Sequence, residues 1–375
     1  MPIYKTDKKR DGLTGYRVII SYTDTLGKYK KTERMAYGKA EAQALEAKLL
    51  QDVQAGETST RKTVSALCAE YLEDKRLNVR ATTYDKVRRV LDSAVLPYLG
   101  DVRLDALTAP KLQEWKSAIA AQDTKIITKQ KQYGEFSTLL KFAVRRGYLP
   151  KNPLDQIGNF KDVYFEKPQD KIQYYTAEQY LAFAATARRS AEEKNTAQEW
   201  GYYVFFSLAF YTGARKGEIN ALKWSDIDGN VLHVRRSIAQ KVKGEYLETP
   251  PKNKSSYRDL QIPAPLMEIL MEHRARQSED PLFSDDWRVC GGAKCLPDTS
   301  IEKHNTAFAD AAGLPHIRIH DFRHSHASLL ANNGINIQEV ARRLGHSKVE
   351  QTWNTYSHLY PREEERAVSI LDKIR

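Results

Sequence analysis

Cysteine is scarce in this sequence: Cys68, Cys290 and Cys295 are the three in 375 residues. Three thiols cannot staple a small fold, so the disulfide-framework classes are excluded. Cys290 and Cys295 stand in "CGGAKC", a spacing zinc sites also use, but no second pair completes a site. They read as reduced thiols in a loop. Long apolar runs are missing too, and nothing approaches the ~20 residues that cross a bilayer. The opening "MPIYKTDKKR" is polar and lacks the apolar stretch of a secretory signal. These absences lead us to expect a soluble cytoplasmic protein with no membrane partner. There is no internal repeat and no low-complexity tract. Negative charge is in deficit, with 48 acidic residues against 59 Lys and Arg, a net +11. That surplus favours a polyanionic partner, nucleic acid or an acidic surface.

What is present sorts into three segments. Over residues 1–58, "GYRVIISYTD" and "KYKKTERMAY" flank a glycine-containing turn in a hairpin pattern, and "GKAEAQALEAKLLQD" has helical composition. We expect a three-stranded sheet plus a helix. Lys8, Lys9, Arg10, Lys28, Lys30 and Lys31 fall near the strands. They could offer a basic face to a duplex groove, or simply be a solvated surface. Beyond the linker "AGETSTRK", residues 62–160 carry apolar side chains at three- and four-residue intervals in "VSALCAEYLEDKR", "TTYDKVRRVLDSAVLPYLG", "TAPKLQEWKSAIAAQ" and "GEFSTLLKFAVRRGYLP". These predict a compact helical domain with basic outer faces.

The third segment spans residues 172–375. Thr176 and Gln179 form a capping-box pattern, and "EWGYYVFFSLAFYTG" predicts an apolar helix central to a core. Three strands are expected in "NVLHVRRSIA", "GEYLETP" and "SYRDLQIP". Helices follow in "HSHASLLANN", "NIQEVARRLG" and "VEQTWNTYSHLY", with Asn336 and Glu339 as a cap and Gly345 as a stop. The fold class is therefore multidomain and mainly α. A small sheet-plus-helix domain comes first, a helical domain second and a mixed α+β domain third.

In that third segment, polar residues occupy places that patterning alone would not give them. Arg215 follows the glycine that ends the apolar helix, with Glu218 three residues on. An exposed Arg–Glu pair would be worth under ~1 kcal/mol, whereas an arginine on a rigid junction can reach a ligand. Lys252 and Lys254 lie in a turn between strands, where a lysine is usually just solvated. "HDFRHSH" holds His320, Arg323, His324 and His326, and His320 and His324 share a helix face. A metal reading of that stretch would need carboxylate or thiol ligands converging from elsewhere, and the sequence offers no such set. "LGHSKVEQTWNTYSH" adds His346 and Tyr356.

Taken together and in this order, "TGARKGE", "PPKNKSSYR", "HDFRHSH", "LGHS" and "TWNTYSH" resemble the tyrosine recombinases, the phage-integrase family. The resemblance is close over about residues 175–360. More loosely, the helical domain resembles the family's core-site DNA-binding domain. The first segment is similar to the arm-site domain of phage and conjugative-transposon integrases. Asn253 stands where many members have threonine after the lysine, which leaves Lys252 and Lys254 as alternatives.

The resemblance implies that Tyr356 attacks a DNA phosphodiester and forms a 3′-phosphotyrosine. Arg215 and Arg323 would hold the phosphate oxygens, His346 would donate to them, and His320 would assist as base or in positioning. Lys252 would protonate the departing 5′ oxygen, and Glu218 would orient Arg215. No metal or other cofactor is implied. His324 and His326 read as packing residues or as supports for the others. The partners implied are double-stranded DNA attachment sites and a homotetramer formed on them, with an excisionase and a host DNA-bending protein as candidate accessories. The C-terminal Ala367, Ile370, Leu371 and Ile374, at helical intervals, would dock on a neighbouring protomer or on their own domain. Other readings are a cellular chromosome-dimer-resolving recombinase, a type IB topoisomerase and a catalytically inactive DNA-binding regulator.

Overall fold

The computed structural model describes residues 3–23, 29–54, 62–161, 173–242, 245–251, 254–360, 368, 371 and 372. The chain divides into two compact units, Met1–Glu166 and Lys167–Arg375.

The first unit begins with an antiparallel sheet of β1 (Ile3–Arg10), β2 (Leu13–Thr23) and β3 (Tyr29–Tyr37), in that order. Asp11 and Gly12, at φ 52° and 78°, make the two-residue turn between β1 and β2, the geometry that matches strand twist. Val18 and Ala36 face inward against Ala42 of α1 (Lys39–Gln54), with Tyr16, Leu45 and Leu49 packed around them. Lys8, Lys9, Arg10, Lys30 and Lys31 are exposed. Lys28 lies outside the described residues.

A separate core follows, built from α2 (Val64–Asn78), α3 (Ala81–Val90), α4 (Leu96–Leu99), α5 (Ala109–Ala120) and α6 (Ile126–Arg145). Leu67, Tyr71, Leu91, Trp115, Phe136 and Leu140 fill it. The stretch "TTYDKVRRVLDSAVLPYLG", helical in its periodicity, is interrupted by a π-helical turn at Leu91–Val95. Pro97, in the first turn of α4, has no N–H to continue an α ladder. The Trp115 indole donates to the Ala94 carbonyl of that turn at 2.6 Å. Helix α6 starts at Ile126 rather than Gly134, because its first two turns are mostly polar and carry little apolar signal.

The second unit contains α7 (Ala177–Lys194), α8 (Ala197–Thr212), α9 (Lys216–Ala221), β4 (Ile227–Asp228), β5 (Val231–Val234), β6 (Ser237–Val242), β7 (Glu245–Thr249), β8 (Arg258–Gln261) and α10 (Ala264–Gln277), then α11 (Asp298–Ala311), α12 (Ile319–Asn332), α13 (Ile337–Leu344) and α14 (Val349–Tyr356). Helix α8 is buried on almost every side, as an all-apolar helix must be. It packs on α7, α10 and α12, and Tyr180 of α7 stacks on Phe210 with ring centroids 3.7 Å apart. Gly201 is required where the Cys290 carbonyl meets α8: a Cβ there would stand 1.8 Å from that oxygen. Cys68, Cys290 and Cys295 are all free thiols, and burial pushes Cys68 up to about 12.

The run "NVLHVRRSIA" is two strands, not the single one expected. β5 joins a sheet of order β4-β5-β8, while β6 pairs, among the described residues, with β7 alone. The break falls at Arg235 and Arg236, which turn aside to Asp259 at 2.5 Å and Asp226 at 2.6 Å. Among the described residues no helix is long and apolar enough to cross a membrane.

Candidate active site

The site is assembled where three loops meet the N-terminal half of α12. At the end of α8 the chain turns through Gly213 at φ +64°, against the ring of His326, and reaches Arg215 at the start of α9. A Cβ on Gly213 would fall 2.7 Å from His326 Cδ2. Arg215 is 39% exposed in its side chain, and one guanidinium nitrogen donates to Glu218 Oε1 at 2.8 Å. The Glu218 Oε2 accepts from the Arg215 backbone N–H at 2.9 Å and from Arg258 at 2.8 Å. Burial alone would raise the Glu218 carboxyl, yet the two arginines overrule it and bring it down to about 2. It stays ionised and holds both guanidinium groups.

Arg258 is a site residue the sequence reading missed. It is 5% exposed, and besides Glu218 it donates to the Arg343 carbonyl at 2.6 Å and the Ser256 carbonyl at 3.1 Å. It ties the strand turn to the end of α13. A signal was available: Arg258 shares its inward strand register with Leu260 and Ile262, so a charge sits where the alternation asks for an apolar side chain.

Arg323, 3% exposed, donates to the carbonyls of Gly213 at 2.8 Å and Leu344 at 2.6 Å. One side chain thereby fixes the loop before Arg215 and the loop before His346. A guanidinium has five N–H donors, so these two bonds leave others for a ligand. After Leu344 the chain turns through Gly345 at φ +68°, packed against Arg258 and the Ser255 carbonyl, and presents His346. The His346 Nδ1 is bonded to Thr352 Oγ1 of α14 at 2.8 Å. Burial, then Arg323 and Arg215, bring the His346 imidazole down to about 4. The cap of α13 is Asn336 as expected, but the Glu339 carboxylate bonds Arg342 at 2.7 Å rather than joining the cap.

On α12, Asp321 is buried and caps the helix start by accepting from the Arg318 backbone N–H at 2.8 Å. His320 and His324 lie edge to face with ring centroids 5.2 Å apart. His320 keeps an exposed face, but burial of the rest and the adjacent His324, Arg323 and Arg215 bring it down to about 4. His326 turns away: its Nδ1–H donates to the Phe210 carbonyl at 2.8 Å, and it packs under Gly213. That is the packing role expected of it.

Of the two roles open to His324, packing or support of the other site residues, its contact is of the second kind: its Nδ1 lies 2.6 Å from the hydroxyl of Tyr356. Tyr356 itself is 2% exposed, its ring set among Ala327, Ala331, Val340 and Leu344. Burial, opposed by Arg323, pushes its phenol up to about 12. No pattern could have shown this pair, because 32 residues separate its members. The structure thus brings Arg215, Glu218, His320, Arg323, His346 and Tyr356 together. Lys252 lies outside the described residues, and Lys254 is described only as the backbone start of a short 3-10 turn ending at Ser256. Chemically, the cluster is a cationic cradle for an anion beside a phenol already paired with an imidazole.

Comparison with known proteins agrees with that chemistry. The phage integrase family matches residues 173–363, and the family's N-terminal SAM-like domain matches residues 63–119. The ICEBs1 integrase of Bacillus subtilis is 25% identical, covering 96% of this chain and 97% of that protein. A XerC-like tyrosine recombinase of Caldanaerobacter subterraneus is 27% identical, covering 99% of each. Among solved structures, the lambda integrase tetramer bound to a Holliday junction superposes with a TM-score of 0.57 at 17% identity, covering 97% of each chain. With more than half of its length matched by the family domain, and that domain holding the whole cluster from Arg215 to Tyr356, the chain belongs to the phage integrase family of tyrosine recombinases.

Proposed function

We propose that the protein is an integrase, a site-specific recombinase that cuts and rejoins double-stranded DNA through a 3′-phosphotyrosine, integrating and excising a prophage or mobile element. The observation that carries this reading is the placement of Tyr356 beside two guanidinium groups and three imidazoles. Attack on a phosphodiester builds charge on the non-bridging oxygens. Arg215 and Arg323 meet that charge with planar donors that stay protonated. His346 donates to the same oxygens, His320 positions the phosphate, Glu218 orients Arg215, and Lys252 protonates the leaving 5′ oxygen. The bond energy is kept in the phosphotyrosine, so rejoining uses neither nucleotide nor metal.

The three-part division assigns arm-type DNA binding to residues 1–58, core-site binding to residues 62–160 and catalysis to residues 172–375. Lys8, Lys9, Arg10, Lys28, Lys30 and Lys31 would contact arm-site phosphates. Similarity to the lambda integrase fold supports a homotetramer on paired sites. An excisionase and a host DNA-bending protein would set direction, in the cytoplasm of a bacterial host and at its nucleoid. The likeness to a XerC-like recombinase favours one second reading, a cellular recombinase that resolves chromosome dimers. The basic sheet domain ahead of the core-site helices weighs toward the integrase.

The test is recombination in vitro between candidate attachment sites, with purified protein, host-cell extract for accessory factors, and excess EDTA. Recombinant products in EDTA are expected. Activity that is lost in EDTA and restored by a divalent ion would overturn the metal-free mechanism.

A further inference from the structure

Resting on the recombinase reading, we propose that His324, rather than His320, is the base that takes the phenolic proton of Tyr356 during strand cleavage and returns it during rejoining. The contact is direct: among the described imidazoles, His324 is the one bonded to the attacking oxygen, at 2.6 Å. The other imidazoles of the site make different contacts. His326 donates to the Phe210 carbonyl, and His346 is engaged with Thr352. His320 meets His324 edge to face, on the same helix one turn earlier.

The charge state agrees with the geometry. Burial lowers the His324 imidazole, as do Arg318 and Arg323, against the opposing pull of Asp321. It is therefore neutral near pH 7 and has a lone pair to offer. With the imidazole proton on Nε2, the buried, protonated phenol donates its O–H and Nδ1 accepts, the arrangement that base catalysis uses. The rigid α12 that carries His324 also carries Arg323, so base and phosphate ligand are set by one helix.

The step balances. The Tyr356 oxygen forms its bond to phosphorus as its proton passes to His324 Nδ1. The bond between phosphorus and the 5′ oxygen breaks, and that oxygen takes a proton from the general acid, for which Lys252 is the candidate. In rejoining, a 5′ hydroxyl attacks phosphorus and gives its proton back to the group that served as general acid, the tyrosine oxygen leaves, and His324 returns the proton to it. An anionic phosphodiester entering the cradle would offset the nearby arginine charges and make His324 more basic at the moment it is needed.

The experiment measures single-turnover formation of the covalent adduct on nicked attachment-site DNA, with DNA binding followed alongside. His324→Ala should bind DNA normally and slow adduct formation by about 100-fold or more, the span of general-base catalysis. Installing a fluorinated, more acidic tyrosine at position 356 should then recover about tenfold or more in His324→Ala and much less in wild type. A merely structural role would leave that recovery equal in both. If His324→Ala fails to bind DNA, His324→Gln, which accepts a hydrogen bond but takes no proton, carries the same comparison. Adduct at the wild-type rate in the variants, or a loss that fluorination does not differentially repair, overturns the assignment. No adduct from wild-type protein on DNA it binds overturns the recombinase reading instead, so the two failures are distinguishable.

Discussion

To attack phosphorus as proposed, Tyr356 must shed a proton that burial makes it hold more tightly, its phenol being pushed up to about 12. Two other buried groups of the site region also have pKa values displaced from their ordinary ones. Glu218, brought down to about 2, is depressed relative to an unfolded-state value near 4.5. Its contribution to stability is present above pH 4.5 and is lost as pH falls toward 2. The shift corresponds to an order of 3 kcal/mol. His326 is buried and neutral, and burial with Arg343 nearby brings it down to about 3 from 6.5. Its contribution is present above pH 6.5 and lost as pH falls toward 3. Thermal melting followed from pH 8 to pH 3 should therefore show a decline that starts near pH 6.5 and steepens below 4.5. In His326→Gln the upper part of that decline should flatten, and in Glu218→Gln the lower part. Melting profiles that run parallel to wild type would contradict these assignments.

At the scale of elements, what the sequence made legible was whatever depends on local order. Helix α8 reads as buried because it is apolar all round, and the Thr176–Gln179 capping box forms as its spacing requires. What it concealed depends on partners far along the chain. The split of β5 from β6 is invisible to a period-2 pattern, since Arg235 and Arg236 are diverted by Asp259 and Asp226 in other elements. Gly201 is another such position: its neighbours in sequence are helical, and only the Cys290 carbonyl explains it. Gly201→Ala should destabilise the second unit by about 3 kcal/mol, the upper end of overpacking costs, because the clash is with backbone rather than a flexible side chain. A urea unfolding midpoint equal to wild type would show that the loop yields freely.

At the scale of the whole molecule, the site residues were legible as types and spacings, from Arg215 to Tyr356, because the family pattern is carried by short motifs. The wiring between those motifs was not. Arg258 reaches Glu218 across 40 residues of chain, and Arg323 reaches the Gly213 carbonyl across 110. These bonds turn separate motifs into one cradle, and the tyrosine hydroxyl is held at its edge by His324. The net charge of +11 suits a protein whose substrate is a polyanion. The central claim is that Tyr356 becomes covalently joined to DNA. Its most direct measurement uses wild-type protein and Tyr356→Phe on nicked DNA carrying the candidate attachment site, resolved on a denaturing gel without metal. The account predicts a covalent protein–DNA band in wild type and none in Tyr356→Phe. A band in both would mean that another residue attacks, and no band in either, on DNA that both proteins bind, would contradict the account.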